Sequence, residues 1–348
     1  MELVLENGVV RGGSDARERF YDSRGYGRVE ASGLVLAPVE AAHLLYRGDV
    51  EAVRDGASGD SLDFRALLSS AAVSEIAVLV YKDLRDRGFY LSPACEGWVE
   101  DPAGADFVVY PRGQGPWDDA VAYRVRAESE RTDVSAASLG DTVLAVVDEE
   151  SAITYLETAH PDIEGSTTVD LPTGVGADLL GDRVLVWDPP EALYHKGFYG
   201  QPLDDETGKP LQLSLVEAAA LAGRGVLDVQ GGADAIVECG REVEGERFDR
   251  RLAVYRTLRD RGVVPKTGYK FGADFRTYAD VESVDSLGHS ELLVRVLPAD
   301  HAFTPRDLAL DVRLAHGVRK RMVFALVTDA DASSEPRIEW LEVGRLTP

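Results

Sequence analysis

Three side chains in the C-terminal part of the chain, Tyr278, His289 and Lys320, could together move protons and hold negative charge. A histidine exchanges a proton near neutral pH, and a tyrosine does so once its surroundings adjust a pKa that is ordinarily about 10. A lysine stabilises an anion that forms beside it. The set is therefore suited to acid-base catalysis with electrostatic help from a cation.

This chemistry fits the cleavage of RNA by its own 2′-hydroxyl group. One residue deprotonates the 2′-hydroxyl, a second protonates the departing 5′-oxygen, and the lysine stabilises the phosphorane between them. The expected products are a 2′,3′-cyclic phosphate and a 5′-hydroxyl, and neither a metal ion nor another cofactor is required. We assign Tyr278 as the general base, His289 as the general acid and Lys320 as the stabilising cation, and the first two roles could be exchanged.

The three residues belong to a chain that repeats itself. The segments "VYKDLRDRG" (80–88) and "VYRTLRDRG" (254–262) share seven of nine residues. Other matches keep the same order along the chain: "PVEAAHL" (38–44) with "LVEAAAL" (215–221), "GADFVVY" (104–110) with "GADFRTY" (272–278), and "VLAVV" (143–147) with "VFALV" (323–327). Such self-similarity indicates duplication, so we interpret the chain as two diverged copies, called the first half and the second half below.

Each copy is predicted to have an N-terminal α/β subdomain and a C-terminal nuclease-like subdomain. The four parts are residues 1–72, 73–168, 169–248 and 249–348, and a segment rich in Gly, Pro, Ser and Thr at 165–176 is typical of the linker between the copies. The predicted fold class is mixed α/β (α+β), with a mixed sheet flanked by helices in each nuclease-like part.

Local signals predict where helices begin and end. Pro38 precedes the helix-forming "VEAA", and a proline is favoured in the first helical turn. Gly88 and Gly262 each follow arginines at the end of "LRDRG", where glycine adopts the left-handed conformation that terminates a helix and the arginines favour the helix dipole.

The segment after His289 is predicted to form a strand, a helix and a second strand. Short apolar runs at 291–297 and 322–327 are typical of strands. Between them, Thr304 is the predicted N-cap, with Pro305 at the first helical position and Asp307 as the capping partner.

The differences between the copies indicate which one is catalytic. Alignment of the repeats places Tyr278, His289 and Lys320 opposite Tyr110, Asp118 and Gly140, respectively. Only the second half therefore has all three side chains, and the first half is predicted to be a non-catalytic scaffold.

Competing interpretations remain open at this point. His316 lies four residues before Lys320, so the two are predicted to share a helical face, and His316 is the chief rival of His289 for the histidine role. A metal-dependent nuclease needs a lysine two residues after an acidic one, but Glu291 is followed by Leu292 and Leu293. A non-catalytic RNA-binding or assembly protein is the remaining alternative.

The composition indicates adaptation to salt. The net charge is -24, with 61 Asp and Glu against 37 Lys and Arg, and only six of the basic residues are lysines. Such a charge would ordinarily disfavour nucleic acid, so we interpret it as an acidic, halophilic surface. Cys95 and Cys239 lack a CxxC partner, and no long apolar run is present, so we expect a cytoplasmic protein without a membrane segment or a disulfide framework.

The segments "YRTLRDRGVVPKTGYKFGADFRTY", "HSELLVRVL" and "RLAHGVRKRMVFALV" resemble the archaeal tRNA-splicing endonuclease family. The tandem layout is similar to the class of that family in which a degenerate copy and an active copy share one chain and two chains form a homodimer. The resemblance implies that Tyr278, His289 and Lys320 are the catalytic triad. It also implies that the substrate is precursor tRNA, cut at a bulge-helix-bulge.

The resemblance further implies two contacts made by the partner subunit. Two arginines from one chain clamp a bulge base bound to the other, and our candidates are Arg313 and Arg337. An acidic loop of the scaffold copy docks into the other chain, and "DEES", with Asp148, Glu149 and Glu150, is the best match.

One basic segment is an RNA-binding candidate by its residue pattern alone. "KTGYKFG" (266–272) interleaves Lys266 and Lys270 with aromatic residues, which could contact RNA phosphates and bases. The alternative is a twisted hairpin that merely exposes its two lysines to solvent.

Overall fold

The structure is a computed structural model that describes residues 2–95, 97–118, 120–204, 209–328 and 336–348. It is a mixed α/β protein, as predicted. Within these ranges, no helix combines the length and the apolar character needed to cross a membrane.

Residues 3–69 form a six-stranded sheet with short helices. The strands are β1 (Leu3–Glu6), β2 (Val9–Gly12), β3 (Arg28–Glu30), β4 (Gly33–Leu36), β5 (Val53–Asp55) and β6 (Ser61–Leu62). The helices are α1 (Ser14–Ala16), α2 (Pro38–Tyr46) and α3 (Phe64–Ser69), with a π-helical turn at Arg17–Asp22. The strand order is β3-β4-β2-β1-β5-β6.

The remainder of the first half contains one long helix and six strands. These elements are α4 (Glu75–Asp86), β7 (Leu91–Pro93), β8 (Phe107–Val109), β9 (Tyr123–Ser129), β10 (Val134–Ser135), β11 (Val143–Val147) and β12 (Ile153–Ala159).

The second half begins with two small sheets, one of four strands and one of two, together with two helices. Its strands are β13 (Val175–Gly176), β14 (Asp178–Leu180), β15 (Arg183–Val186), β16 (Gln201–Pro202), β17 (Leu211–Ser214) and β18 (Leu227–Asp228). The helices are α5 (Leu215–Gly223) and α6 (Gly232–Glu244), and a π-helical turn lies at Ala192–Lys196.

The C-terminal segment contains the residues of the predicted triad. Its helices are α7 (Glu246–Asp260) and α8 (Pro305–Gly317). Its strands are β19 (Val264–Thr267), β20 (Phe275–Tyr278), β21 (Leu292–Pro298), β22 (Ala302–Phe303), β23 (Arg321–Thr328) and β24 (Arg337–Leu346).

A single ten-stranded sheet runs through both halves, in the order β19-β20-β21-β23-β24-β12-β11-β9-β8-β7. The halves meet where β12 pairs antiparallel with β24, from Tyr155 opposite Leu346 to Ala159 opposite Glu342. Read inward from either edge, the equivalent strands of the two halves occur in the same order. The parallel pairs are also equivalent, namely β9 with β11 and β21 with β23. The sheet therefore links the two halves through backbone hydrogen bonds.

Three large apolar clusters pack against the sheets. One surrounds Phe20, Tyr81 and Phe107 in the first half, and another surrounds Phe248, Tyr255 and Phe275 in the second. The third contains residues of both halves, including Val134, Leu144, Phe303 and Phe324. The short β10 also pairs with β22, so the halves share a core as well as a sheet.

The predicted helix boundaries are confirmed. Helix α2 begins at Pro38, and Gly88 (φ +89°) and Gly262 (φ +72°) follow the C-caps of α4 and α7 in the left-handed conformation. At α8, Thr304 is the N-cap residue, but its hydroxyl donates to the Asp307 carboxylate (2.7 Å) and does not cap a backbone N–H group.

Candidate active site

Three neighbouring strands bring the predicted triad to one end of the sheet. Strand β20 ends at Tyr278, the antiparallel β21 begins shortly after His289, and β23, parallel to β21, begins directly after Lys320. Two hydrogen bonds tie these ends together, from the Glu291 N–H to the Thr277 carbonyl (3.0 Å) and from the Arg321 N–H to the Glu291 carbonyl (3.1 Å). Residues that are far apart in sequence therefore lie around one strand end.

The ring of Tyr278 is held by packing. The residue is 7% exposed and lies in a small apolar cluster with Phe198, Val264 and Val281. The Phe198 ring meets it edge-on, with 5.5 Å between centroids and an interplanar angle of 67°. Such an aromatic pair contributes about 0.5–1.5 kcal/mol beyond its burial, so it favours the observed orientation of the tyrosine.

His289 is exposed and lies in the loop 279–291, which connects β20 to β21. The linker between the halves anchors the start of this loop. Ser166 N–H donates to the Ala279 carbonyl (2.8 Å), and the Thr167 hydroxyl accepts from the Val281 N–H (2.9 Å). The imidazole can therefore reach a ligand in solvent, whereas the base of its loop is fixed.

Lys320 follows the end of α8 and contacts the residue next to His289. The chain turns at Arg319 (φ +57°), and the Lys320 ammonium then donates to the carbonyl and hydroxyl oxygens of Ser290, both at 2.5 Å. Burial lowers the pKa of Lys320 from its ordinary value, and the charge of Arg276 lowers it further. The lysine is thus positioned as a cation beside the histidine loop.

The predicted helical alignment of His316 with Lys320 is wrong. Helix α8 ends at Gly317, so Lys320 lies beyond it and does not share a helical face with His316. His316 is exposed in the last turn of the helix. Its four-residue spacing from Lys320 therefore gives no reason to place it beside the lysine.

The first half has a different arrangement at the same strand ends. The Tyr110 hydroxyl is hydrogen-bonded to the Ser92 hydroxyl (2.9 Å). Gly140, opposite Lys320, has φ +123°, and a Cβ atom there would lie 2.0 Å from the Nε2 atom of His160. A lysine at this position would require His160 to move.

The repeat alignment around His289 needs a correction. Phe107 pairs with Val125 in the first half, as Phe275 pairs with Val294 in the second. Counting back equally from these two valines places Ala120, rather than Asp118, opposite His289. The two-residue error arises because local sequence similarity does not fix strand register, which depends on the neighbouring strand. The first half lacks a histidine at this position under either alignment.

Lys266 does not have the environment of an RNA contact. It is 9% exposed, and its ammonium donates to the Glu217 carboxylate (3.0 Å) and the Gly200 carbonyl (2.7 Å). Burial alone would raise the pKa of Glu217, but Lys266 together with the N–H groups of Gly200 and Ser214 lowers that pKa to about 2. We therefore withdraw Lys266 as an RNA-binding candidate, because its charge is already used inside the protein.

Lys270 remains a candidate. It is exposed in a short 3-10 helix, Tyr269–Phe271, between β19 and β20. The adjacent Tyr269 is 87% exposed. A cation and an aromatic ring thus lie side by side on the surface.

The two clamp candidates are exposed, and Arg337 is distant from the triad of its own chain. Arg313 lies on α8, and Arg337 begins β24 opposite Thr328. Thr328 ends β23 and Lys320 precedes its start, so the eight residues of that strand separate them by about 25 Å. Arg337 is therefore too far from Lys320 of its own chain for direct contact.

The predicted acidic loop is the turn between β11 and β12. Asp148 stabilises this turn, because its carboxylate accepts from the N–H groups of Glu150 (2.9 Å) and Ala152 (2.8 Å). Glu149 and Glu150 are exposed, and Glu149 forms an ion pair with Arg131 (2.5 Å). The two glutamates are thus the docking candidates, and Asp148 shapes the loop that presents them.

Sequence reasoning missed Arg276, which lies next but one to Tyr278 in β20. Its guanidinium carbon is 5.8 Å from the centroid of the Tyr278 ring. The signal was present in the matched segments "GADFVVY" and "GADFRTY", where the arginine stands opposite Val108. Among the residues that the structure describes, no group of three His, Cys, Asp or Glu side chains has the arrangement of a metal site.

Family models and individual relatives of the chain indicate the same protein family. The family model for the catalytic C-terminal domain of tRNA intron endonuclease matches residues 248–338, and the model for its N-terminal domain matches residues 1–68 and 175–238. A tRNA-splicing endonuclease of Haloarcula marismortui is 66% identical over 348 residues, and that of Natronomonas pharaonis is 62% identical over 348 residues. The enzyme of Haloferax volcanii is 55% identical over 354 aligned positions, and all three alignments cover both chains completely.

Proposed function

The chain belongs to the tRNA intron endonuclease family and is a tRNA-splicing endonuclease, and we propose that it excises introns from precursor tRNA at a bulge-helix-bulge without a metal ion. The observation that carries this proposal is that the strand ends next to Tyr278, His289 and Lys320 are neighbours in the sheet, with Lys320 hydrogen-bonded to the residue after His289. These residue types can supply the base, the acid and the cation that cleavage by the 2′-hydroxyl uses.

In the proposed mechanism, Tyr278 removes the proton from the 2′-hydroxyl, whose oxygen then attacks the adjacent phosphorus. The bond from phosphorus to the 5′-oxygen breaks, and His289 donates a proton to that oxygen. Lys320 stabilises the negative charge of the phosphorane. The packed ring of Tyr278 and the Ser290 contacts of Lys320 support this assignment, because preorganised groups need no rearrangement during the reaction.

We propose that the chain is a tandem repeat, divided at residues 72, 168 and 248, and that its first half is the scaffold. Gly140 against His160 and Ala120 opposite His289 support that role. A cytoplasmic homodimer follows from the same proposal, with Glu149 and Glu150 docking into the partner and Arg313 and Arg337 clamping its RNA. The distance between Arg337 and Lys320 along β23 supports a contribution across subunits.

The triad assignment is tested by comparing two histidine variants. His289→Ala should lower single-turnover cleavage by about 10²–10⁴-fold, because a positioned general acid is lost, and should leave RNA affinity nearly unchanged. His316→Ala, also an exposed histidine, should cleave at the wild-type rate. Cleavage that is normal in the first variant and lost in the second would transfer the acid role to His316.

A further inference from the structure

We propose that Arg276 is a fourth residue that contacts RNA at the cleavage point, where its guanidinium group binds a non-bridging oxygen of the scissile phosphate. This inference rests on the proposed function of the same site. It adds a substrate contact that the triad does not include.

The position of Arg276 places its charge near two members of the triad. Residues 276 and 278 lie on the same face of β20, because side chains alternate along a strand. The guanidinium carbon lies 5.8 Å from the Tyr278 ring centroid, and its charge acts on Lys320. An anion held between the tyrosine and the lysine would therefore meet Arg276.

Among the residues that the structure describes, Arg276 has no carboxylate partner, and its guanidinium group contacts only the ring of Tyr278. Its Nε atom is shielded from solvent and has no hydrogen-bond acceptor among the described residues, where no ion pair to the guanidinium is present either. Arg295 and Arg251 differ in having a carboxylate partner, since Arg295 pairs with Asp311 and Arg251 pairs with Glu244. A buried donor without an acceptor is unfavourable, so an anionic ligand would supply the acceptor that the fold omits.

The first half has no counterpart of this charge. Val108 follows Phe107 in β8 as Arg276 follows Phe275 in β20, and the strand registers agree. The first half thus lacks the arginine as well as the histidine and the lysine. The arginine is present only where the other groups of the proposed chemistry are present.

The chemistry of the reaction explains why a second cation would be useful. When the 2′-oxygen bonds to phosphorus, negative charge accumulates on the non-bridging oxygens until the bond to the 5′-oxygen breaks. A guanidinium group offers planar N–H donors that match the spacing of phosphate oxygens, and it remains protonated throughout. Lys320 would then hold one oxygen and Arg276 another.

The test combines protein variants with an altered phosphate. Arg276→Val gives the second half the residue of the first, and Arg276→Lys keeps the charge without the planar donors. Arg321→Val is the matched control, because it removes an exposed arginine that pairs with Glu342 on a neighbouring strand. Each protein is given bulge-helix-bulge RNA with either a normal phosphate or one of the two separated phosphorothioate diastereomers at the cut position.

We expect Arg276→Val to lower the single-turnover rate by about 10²-fold, as the loss of one charge-stabilising donor does, with little change in the RNA dissociation constant. The rate reduction that sulfur causes in one diastereomer should shrink towards none in this variant, because the contact to that oxygen is already gone. Arg276→Lys should recover part of the rate, and Arg321→Val should behave as wild type.

The contact would be refuted by a normal rate in Arg276→Val. It would also be refuted if Arg276→Val were slow but sulfur kept its full wild-type effect, since Arg276 would then only support the fold or Tyr278. A wild-type protein that sulfur does not slow in either diastereomer would refute it as well. Failure of the wild-type protein to cut the RNA at all would overturn the proposed function as well. Normal wild-type cutting with an unaffected variant would overturn only the arginine contact.

Discussion

At the scale of single residues, Lys266 and Lys270 are only four positions apart in the sequence, but their environments differ completely. Lys266 is buried against Glu217, whereas Lys270 is exposed. At the positions corresponding to Glu217 and Lys266, the first half has Glu40 and Ser92. Because no lysine lies beside Glu40, burial raises the pKa of this glutamate to about 7. The lysine thus favours the charged form of the buried Glu217.

Lys266→Ala should lower the free energy of unfolding by about 3–5 kcal/mol near pH 8, because the Glu217 carboxylate is left buried and unpaired. In this variant, the pKa of Glu217 should rise above its unfolded-state value, as that of Glu40 does. The folded state then binds a proton more readily than the unfolded state, so the destabilisation should decrease as the pH falls from about 8 to about 5.

Denaturant unfolding of Lys266→Ala at several pH values measures this effect, with Lys270→Ala as the control. The exposed lysine should change the free energy of unfolding by no more than about 0.5 kcal/mol. If the two variants were equally stable and Lys266→Ala bound RNA more weakly, Lys266 would be restored as an RNA-binding residue.

At the scale of secondary-structure elements, the linker and the triad loop act as one unit. The linker crosses the end of α7, where Gly165 and Thr167 donate to the carbonyls of Arg261 (2.9 Å) and Gly262 (3.0 Å), and Thr167 also holds Val281 in the loop of His289. A segment that looks like a simple connection by composition therefore helps to position a proposed catalytic residue.

Thr167→Val should lower single-turnover cleavage by about tenfold, because the Val281 N–H loses its acceptor and small displacements of reacting groups have large effects on rate. Thr168→Val is the control, since Thr168 is the exposed neighbour and has the same side chain. Equal rates in both variants would show that the linker contact does not position the loop.

The elements also show what could be predicted from sequence. Local signals such as caps, glycines and apolar runs are enough to predict helices α2, α4, α7 and α8 and strands β21 and β23. The pairing of β12 with β24 depends on contacts between distant segments, and the sequence does not indicate it. The same reason explains the error at Asp118 and the failure to identify Arg276.

At the scale of the whole molecule, the ten-stranded sheet joins the two halves, although only the second half has the three residues of the proposed triad. The first half contributes five strands, a shared apolar core and the acidic turn after β11. The excess of acidic residues, 61 against 37 basic ones, leaves few cations to attract RNA over a long range. Recognition should therefore depend on a few positioned cations such as Lys320, Arg276 and the clamp arginines.

The most direct test of the central claim is to analyse the RNA ends that the wild-type protein produces in high salt with excess EDTA. The substrate is a short RNA with one bulge-helix-bulge, and a fully paired RNA of the same length is the control. We predict two cuts in the bulged RNA only, each leaving a 2′,3′-cyclic phosphate and a 5′-hydroxyl. An RNA that stays intact until magnesium is added would contradict a metal-independent triad, and binding without any cleavage would contradict catalysis by the second half.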